Sequence, residues 1–247
     1  RQIFLPSGAA PSAGNVHAQP ALARTLQMIG EKGADGFYRG KIAEQMVEFL
    51  SGKGGLHSIQ DFSETKPDYV TPISTSYRGY EVMECPPNGQ GIIALEILNI
   101  LSGYDLKKLE PLGIDRLHLE SEATRLAFRD RAAFLADPAQ AHVPVEKLLS
   151  MDYADKLRTN ISKEKAMPEL PAPGETPHAD TVYLTIVDEE RNAISFINSI
   201  FNSFGSGLVD RETGVLFNNR GASFVIDPAH PNKISPRKRP MHTIIPG

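Results

Sequence analysis

One threonine stands where its hydroxyl could become a nucleophile. Thr181 follows the proline-rich run from Pro168 to Asp180 and opens an alternating apolar stretch, Val182, Leu184 and Ile186. A threonine hydroxyl attacks carbonyls poorly until a base takes its proton. No Ser-His-Asp pattern in the sequence supplies that base. Cutting the bond between Asp180 and Thr181 would create one. A free α-amino group, with a pKa of roughly 8, can take the hydroxyl proton of its own residue near neutral pH. Position alone favours a plainer interpretation, because threonine is a preferred residue at the start of a strand.

The other chemistry-bearing patterns are weaker. Gly205-Ser206-Gly207 lacks the spacing of a nucleophile elbow and suits a glycine-rich β-turn. A Ser-x-x-Lys spacing occurs twice, at Ser162/Lys165 and Ser235/Lys238, which shows how little it discriminates. His118 and Glu122 share a helix face, but no third ligand accompanies them, so a surface or satisfied pair is favoured over metal. Arg237-Lys238-Arg239 suits a solvated turn or a carboxylate contact. Cys85 is the single cysteine, which excludes an internal disulfide and a thiolate-rich metal site. Beside Met83 and Pro86 it is expected to be a small buried apolar residue, with nothing nearby to lower its pKa. No cofactor is implied.

The elements that must position these residues are helical first and β later. Pro20 suits a first helical turn, and Leu22, Leu26 and Ile29 repeat at helical spacing as far as Gly30 and Gly33. Further helices are expected over 42–50, 92–101, 114–135 and roughly 154–166, with Ser58 capping a short turn. Residues 71–85 switch to strand spacing about a turn at Arg78-Gly79. The run 168–180 cannot hold a helix and reads as an exposed linker. Beyond it, strands are expected over 182–186 and 193–197, joined by a turn at 188–192. A second pair is expected near 207–209 and 214–217.

Bulk composition bounds the function. The chain has 247 residues, 40% hydrophobic and 23% charged. That is enough for one large core or two smaller ones. A formal net charge of -4 argues against a general nucleic-acid binder, which needs basic excess. No apolar run is long enough to span a bilayer, so no membrane partner is expected. The chain does not begin with Met, and residues 241–245 read as a strand that has only just begun. We therefore expect an internal segment of a longer protein. Its compartment in a bacterial cell, whether periplasmic, secreted or cytoplasmic, stays open.

The stretch from Thr181 through Asp188, then Asn192-Ala193, Ser199, Phe204 to Gly207, Gly214, Asn218-Asn219, Phe224 and Lys238-Arg239-Pro240, resembles the start of the γ-glutamyltranspeptidase small subunit. Upstream, Gly36 to Gly40, Cys85 to Gly91, Leu98 to Leu101, His118 to Glu120, Phe128, Asp130-Arg131 and Asp137-Pro138 resemble motifs of the large subunit. The resemblance implies an α+β fold, the αββα sandwich of N-terminal-nucleophile hydrolases, here partial, with a helical first two-thirds and a β-rich last third. It divides the chain into the end of a large subunit (1–167), a linker ending at the autocleavage site (168–180) and the start of a small subunit (181–247).

It also implies a zymogen that cuts itself before Thr181. The mature enzyme would form an acyl-enzyme there, then pass a γ-glutamyl or related acyl group to water or an amine. Catalysis would fall to Thr181 and Ser199, the latter at the position of a family Thr. Substrate binding would fall to Asn219, Arg220, His242 and Thr243. The family's oxyanion-hole glycines correspond to positions after 247, and its substrate-carboxylate arginine to a position before 1. An inactive isolated segment is therefore expected, its partners being the rest of its own subunits.

Several departures bear on substrate. The usual Thr-Thr-His-Tyr is here Thr181-Val182-Tyr183-Leu184, a family Asn is Phe201, and a serine pair is His242-Thr243. A family Asp that grips the substrate ammonium is Ser223, and Arg220 would repel such a group. These changes resemble a branch that includes cephalosporin acylases, whose acidic acyl chains carry no amino group. Arg220 could pair such a carboxylate bidentately, or serve in a structural ion pair. A catalytically silent relative kept for binding or scaffolding is the alternative.

Overall fold

A computed structural model describes residues 3–5, 8–168 and 182–246. Thr181 and almost all of the expected linker lie outside the described residues. The chain separates into two compact units, Arg1–Tyr69 with Phe204–Asn218, and Val70–Ser203 with Asn219–Gly247.

The first unit is helical. Helix α1 (Pro20–Lys32) starts on a proline that lacks a hydrogen-bond donor where none is needed. Its Thr25 is buried and donates its hydroxyl hydrogen to the Thr213 carbonyl at 2.7 Å. A short helix α2 (Asp35–Tyr38) leads into α3 (Gly40–Ser51), which buries Ala43, Met46 and Leu50. Helix α4 (Ile59–Ser63) begins with a capping box between Ser58 and Asp61, which satisfies two otherwise orphaned N–H groups. Gly214 has φ +74°. A Cβ there would also collide with the Leu22 backbone, so only glycine fits. The expected second β pair reduces to one antiparallel bridge, Val209 to Leu216. Gly205 and Gly207 both have positive φ, as a glycine-rich turn requires.

The second unit is built around α5 (Gly91–Ser102). Strands β1 (Ile73–Tyr77) and β2 (Tyr80–Glu84) form an antiparallel hairpin over Arg78-Gly79 and pack on α5. Helix α5 is apolar on nearly every side and is buried between that hairpin and α6 (Ile114–Phe134), α7 (Val145–Leu148) and α8 (Met151–Arg158). One core joins Ile100, Leu101, Leu119, Ala123, Leu126 and Leu157. A second joins Ile92, Ile93, Ala127, Leu135 and Leu148. Each large aliphatic side chain among them contributes about 1.5–3 kcal/mol through burial.

Three expectations need correction here. Helix α8 ends at Arg158 rather than near 166, and it begins earlier because the Ser150 hydroxyl caps the Tyr153 N–H. Cys85 is exposed; its neighbour Glu84 is the buried residue at the end of β2. The β content after residue 198 is also small, being isolated bridges and a 3-10 turn at Arg220–Ser223.

Strands β3 (Val182–Val187) and β4 (Ala193–Asn198) pair antiparallel, from Val182 opposite Asn198 to Val187 opposite Ala193. Leu184, Phe196, Ile186 and Ile194 lie on one face, and Tyr183, Ile197, Val187 and Ala193 on the other. Most of these side chains are exposed. The described elements thus mix α and β, with helices leading and this hairpin following.

Candidate active site

The chain leaves β4 directly into the candidate site. Ser199 follows Asn198, and its Oγ accepts the Phe201 N–H at 3.0 Å. Phe201 is buried, with φ +81°. A bulky residue adopts that left-handed backbone only where its surroundings hold it there. Those surroundings include Arg220, whose guanidinium lies 5.8 Å from the Phe201 ring and donates to the Ser199 carbonyl at 3.0 Å. At that range a cation is attracted to the ring face. Asn219 completes the cluster. Its Oδ1 accepts the Asn202 N–H at 3.1 Å, and its own N–H donates to the Ile200 carbonyl. The structure therefore gathers Ser199, Asn219 and Arg220, which the sequence separates by up to 21 positions.

His242 and Thr243 reach the same region from the far end of the chain. The Ser223 hydroxyl lies 2.9 Å from both the Arg220 and Met241 carbonyls, tying the 3-10 turn to the final segment. Burial, reinforced by the positive charges of Arg220 and Arg239, pushes the His242 pKa down to about 4. The imidazole is therefore neutral at physiological pH. The Thr243 hydroxyl is buried and has no hydrogen-bond partner among the described residues. Burial also lowers the Arg220 pKa, yet a guanidinium stays charged at any physiological pH.

Segment 240–243 is held by the loop that opens α5. Asn88 donates its side-chain amide to the Pro240 carbonyl at 2.6 Å, and its backbone carbonyl accepts the His242 N–H at 2.9 Å. Gly89 and His242 form a parallel bridge. Gln90 donates to the Thr243 carbonyl at 3.0 Å, and Arg131 donates to Gln90 Oε1 at 2.9 Å. Sequence reasoning reads Asn88 to Gln90 as turn residues opening a helix. The polar block ahead of an apolar helix is the available signal, but its partners lie 152 and 153 positions away.

The weaker patterns resolve into structural roles. The His118 Nε2 donates to the Ser162 carbonyl at 2.7 Å, while Glu122 accepts from Arg125 and the Met167 N–H. Each is thus satisfied by partners of its own. Among the described residues, no group of three or more His, Cys, Asp or Glu side chains is placed to hold a metal ion. Lys238 is buried and bonds the Pro231 carbonyl, and Arg239 contacts the Asp137 carboxylate. Burial, then the nearby Glu84 charge, raises the Cys85 pKa, which disfavours the thiolate despite its exposure.

A family of acyl-transfer proteins accounts for this combination. The gamma-glutamyltranspeptidase model matches residues 1–247, and the chain belongs to that family. It is 39% identical over 244 residues to the glutathione hydrolase-like YwrD proenzyme of Bacillus subtilis, covering 99% of this chain and 46% of that protein. It is 34% identical over 261 residues to the glutathione hydrolase proenzyme of Escherichia coli, covering 100% of this chain and 45% of that one. The crystal structure of cephalosporin acylase from Bacillus halodurans superposes with a TM-score of 0.89 at 41% identity, over 99% of this chain and 44% of that chain. The chain thus spans about half the length of the curated relatives it matches.

Proposed function

We propose that this chain is the central part of a proenzyme that cuts itself between Asp180 and Thr181 and then transfers acyl groups through Thr181. The observation that carries this reading is the register of β3 and β4. The ladder ends with Val182 opposite Asn198, and their neighbours in sequence are Thr181 and Ser199. Ser199, at the position of a family Thr, thus follows the strand paired with the one that Thr181 precedes in sequence, in keeping with the family assignment.

The chemistry follows in balanced steps. The Thr181 hydroxyl attacks the Asp180 carbonyl, the amide becomes an ester, and water releases Asp180 as a free acid. The uncovered α-amine, with a pKa of roughly 8, is then the base for the mature nucleophile. A substrate amide is attacked in the same way. Its amine leaves, and water or a second amine takes the acyl group from the threonine. Ser199 would steady the nucleophile. Asn219, Arg220, His242 and Thr243 would receive the substrate. The full-length protein would complete the αββα sandwich around β3 and β4.

Two acyl classes remain in view, γ-glutamyl groups and acidic groups without an amine. Ser223 in place of an aspartate, together with a cation at Arg220, favours the second. The likeness to a cephalosporin acylase supports the same preference. Intact mass of the full-length protein after incubation at neutral pH should show two pieces, the smaller starting at Thr181. Thr181→Ala should abolish the cut. A chain that stays whole would instead mean a silent relative, and faster release of glutamate than of glutarate from matched anilides would reverse the substrate preference.

A further inference from the structure

We propose that Gln90 and Arg131 are positioning residues of the acyl-transfer site, fixing Thr243 where its hydroxyl can meet an acyl substrate. The inference rests on the functional reading above. Among the described residues, the hydrogen bond that holds Thr243 runs from Gln90 Nε2 to its carbonyl at 3.0 Å, across 153 positions of sequence. Among the described residues the Thr243 hydroxyl takes no part in anchoring and stays buried without a partner. A buried hydroxyl in that state costs free energy unless something completes it, and in a binding site the ligand does so.

A glutamine amide could turn either end toward Thr243, and only its NH2 group can donate to a carbonyl. Arg131 removes the choice. Its guanidinium donates to Gln90 Oε1 at 2.9 Å, which forces the amide nitrogen toward Thr243. Arg131 is itself held over the Phe128 ring at 4.3 Å, within α6. The relay therefore carries the rigidity of a 21-residue helix to a segment with no regular structure of its own.

The test uses the full-length protein that contains this segment. Gln90→Glu keeps an acceptor for Arg131 and removes the donor to Thr243. It should raise KM for the acyl donor about tenfold while changing kcat less than about twofold, because a bond shared by ground and transition states is lost. Self-cleavage should still run to completion. Arg131→Met should raise KM similarly, and Arg131→Lys, which retains a donor to Gln90, should recover most of the loss. A crystal structure of Gln90→Glu should show the Thr243 carbonyl withdrawn from residue 90. Unchanged KM in both Gln90→Glu and Arg131→Met overturns the proposal, as does a Thr243 that stays in place. A wild-type protein without acyl-transfer activity would defeat the functional reading instead, and the crystallographic position of Thr243 would still decide this one.

Discussion

Asp137 and Arg239, 102 residues apart, are joined twice. The Asp137 Oδ2 accepts the Arg239 backbone N–H at 2.9 Å, and Oδ1 meets the Arg239 guanidinium at 3.3 Å. Asp137 is almost wholly buried just past α6, so this carboxylate pins the approach to His242 and Thr243 onto the helical core. Burial alone would raise its pKa. The N–H groups of Arg239 and Ala139 and the guanidinium outweigh that and hold it below the ordinary 3.8.

Asp137→Ala should therefore cost about 1.5–3 kcal/mol, the range for hydrogen bonds to a charged group. A carboxylate with a lowered folded pKa stabilises above its unfolded pKa and loses that contribution as pH falls through the folded value. The gap between wild type and Asp137→Asn should hold above the ordinary 3.8 and close in stronger acid. Urea midpoints at pH 7 and pH 3 check it; a gap equal at both would refute the charge argument.

Glu84 behaves oppositely. Its side chain lies against the start of α5, where a Cβ on Gly91 would come within 2.6 Å of the carboxylate. Burial raises its pKa from the ordinary 4.5 to about 7. A raised pKa stabilises at low pH and loses that contribution as pH rises through the folded value. Glu84→Gln should therefore gain on wild type between pH 4.5 and 7 and hold its advantage above that window. Melting temperatures across pH 4 to 8 give the answer, and a pH-independent difference would rule the titration out.

Glu96 extends the same logic into the core. It is wholly buried on α5, and burial followed by the neighbouring Asp130 pushes its carboxyl far above the carboxylate range. Asp130 is itself held by Arg129 at 2.9 Å and by the Tyr153 hydroxyl at 2.7 Å. A neutral Glu96 can donate to that carboxylate, and glutamine can do the same. Glu96→Gln should gain on wild type steadily as pH rises from 5 to 9, because only wild type must keep a proton that its unfolded chain releases. Parallel stability curves would count against it.

Arg220 makes a prediction about a neighbour. Burial is the larger cause of the low His242 pKa, with Arg220 second. Arg220→Met should raise that pKa from about 4 without restoring the ordinary 6.5. An NMR titration of the imidazole in the variant reads this directly. No change would mean that the guanidinium does not act on the ring.

The long elements are legible in the sequence because each carries a strong local signal. Helices α1, α3, α5 and α6 and both hairpins fall where periodicity and turn residues place them. Helices α2 and α7 escape such a reading because four residues are too few to show a period. Cys85 misleads for a different reason: its apolar neighbours suggest burial, while the end of the strand turns Glu84 inward instead. The site divides likewise. Ser199, Asn219, Arg220, His242 and Thr243 follow from family resemblance, but the Gln90–Arg131 relay depends on contacts that no local pattern encodes.

The β3–β4 ribbon has a consequence for how the chain behaves in a test tube. Leu184, Phe196, Ile186 and Ile194 crowd one side, Tyr183 and Val187 the other, and among the described residues the sheet has two strands only. A two-stranded ribbon of that kind is adhesive, since open edges recruit further strands and bare apolar faces recruit further sheets. The chain should scatter light increasingly with concentration. Charges placed on the two faces, at Ile186 and Val187, should keep it dispersed.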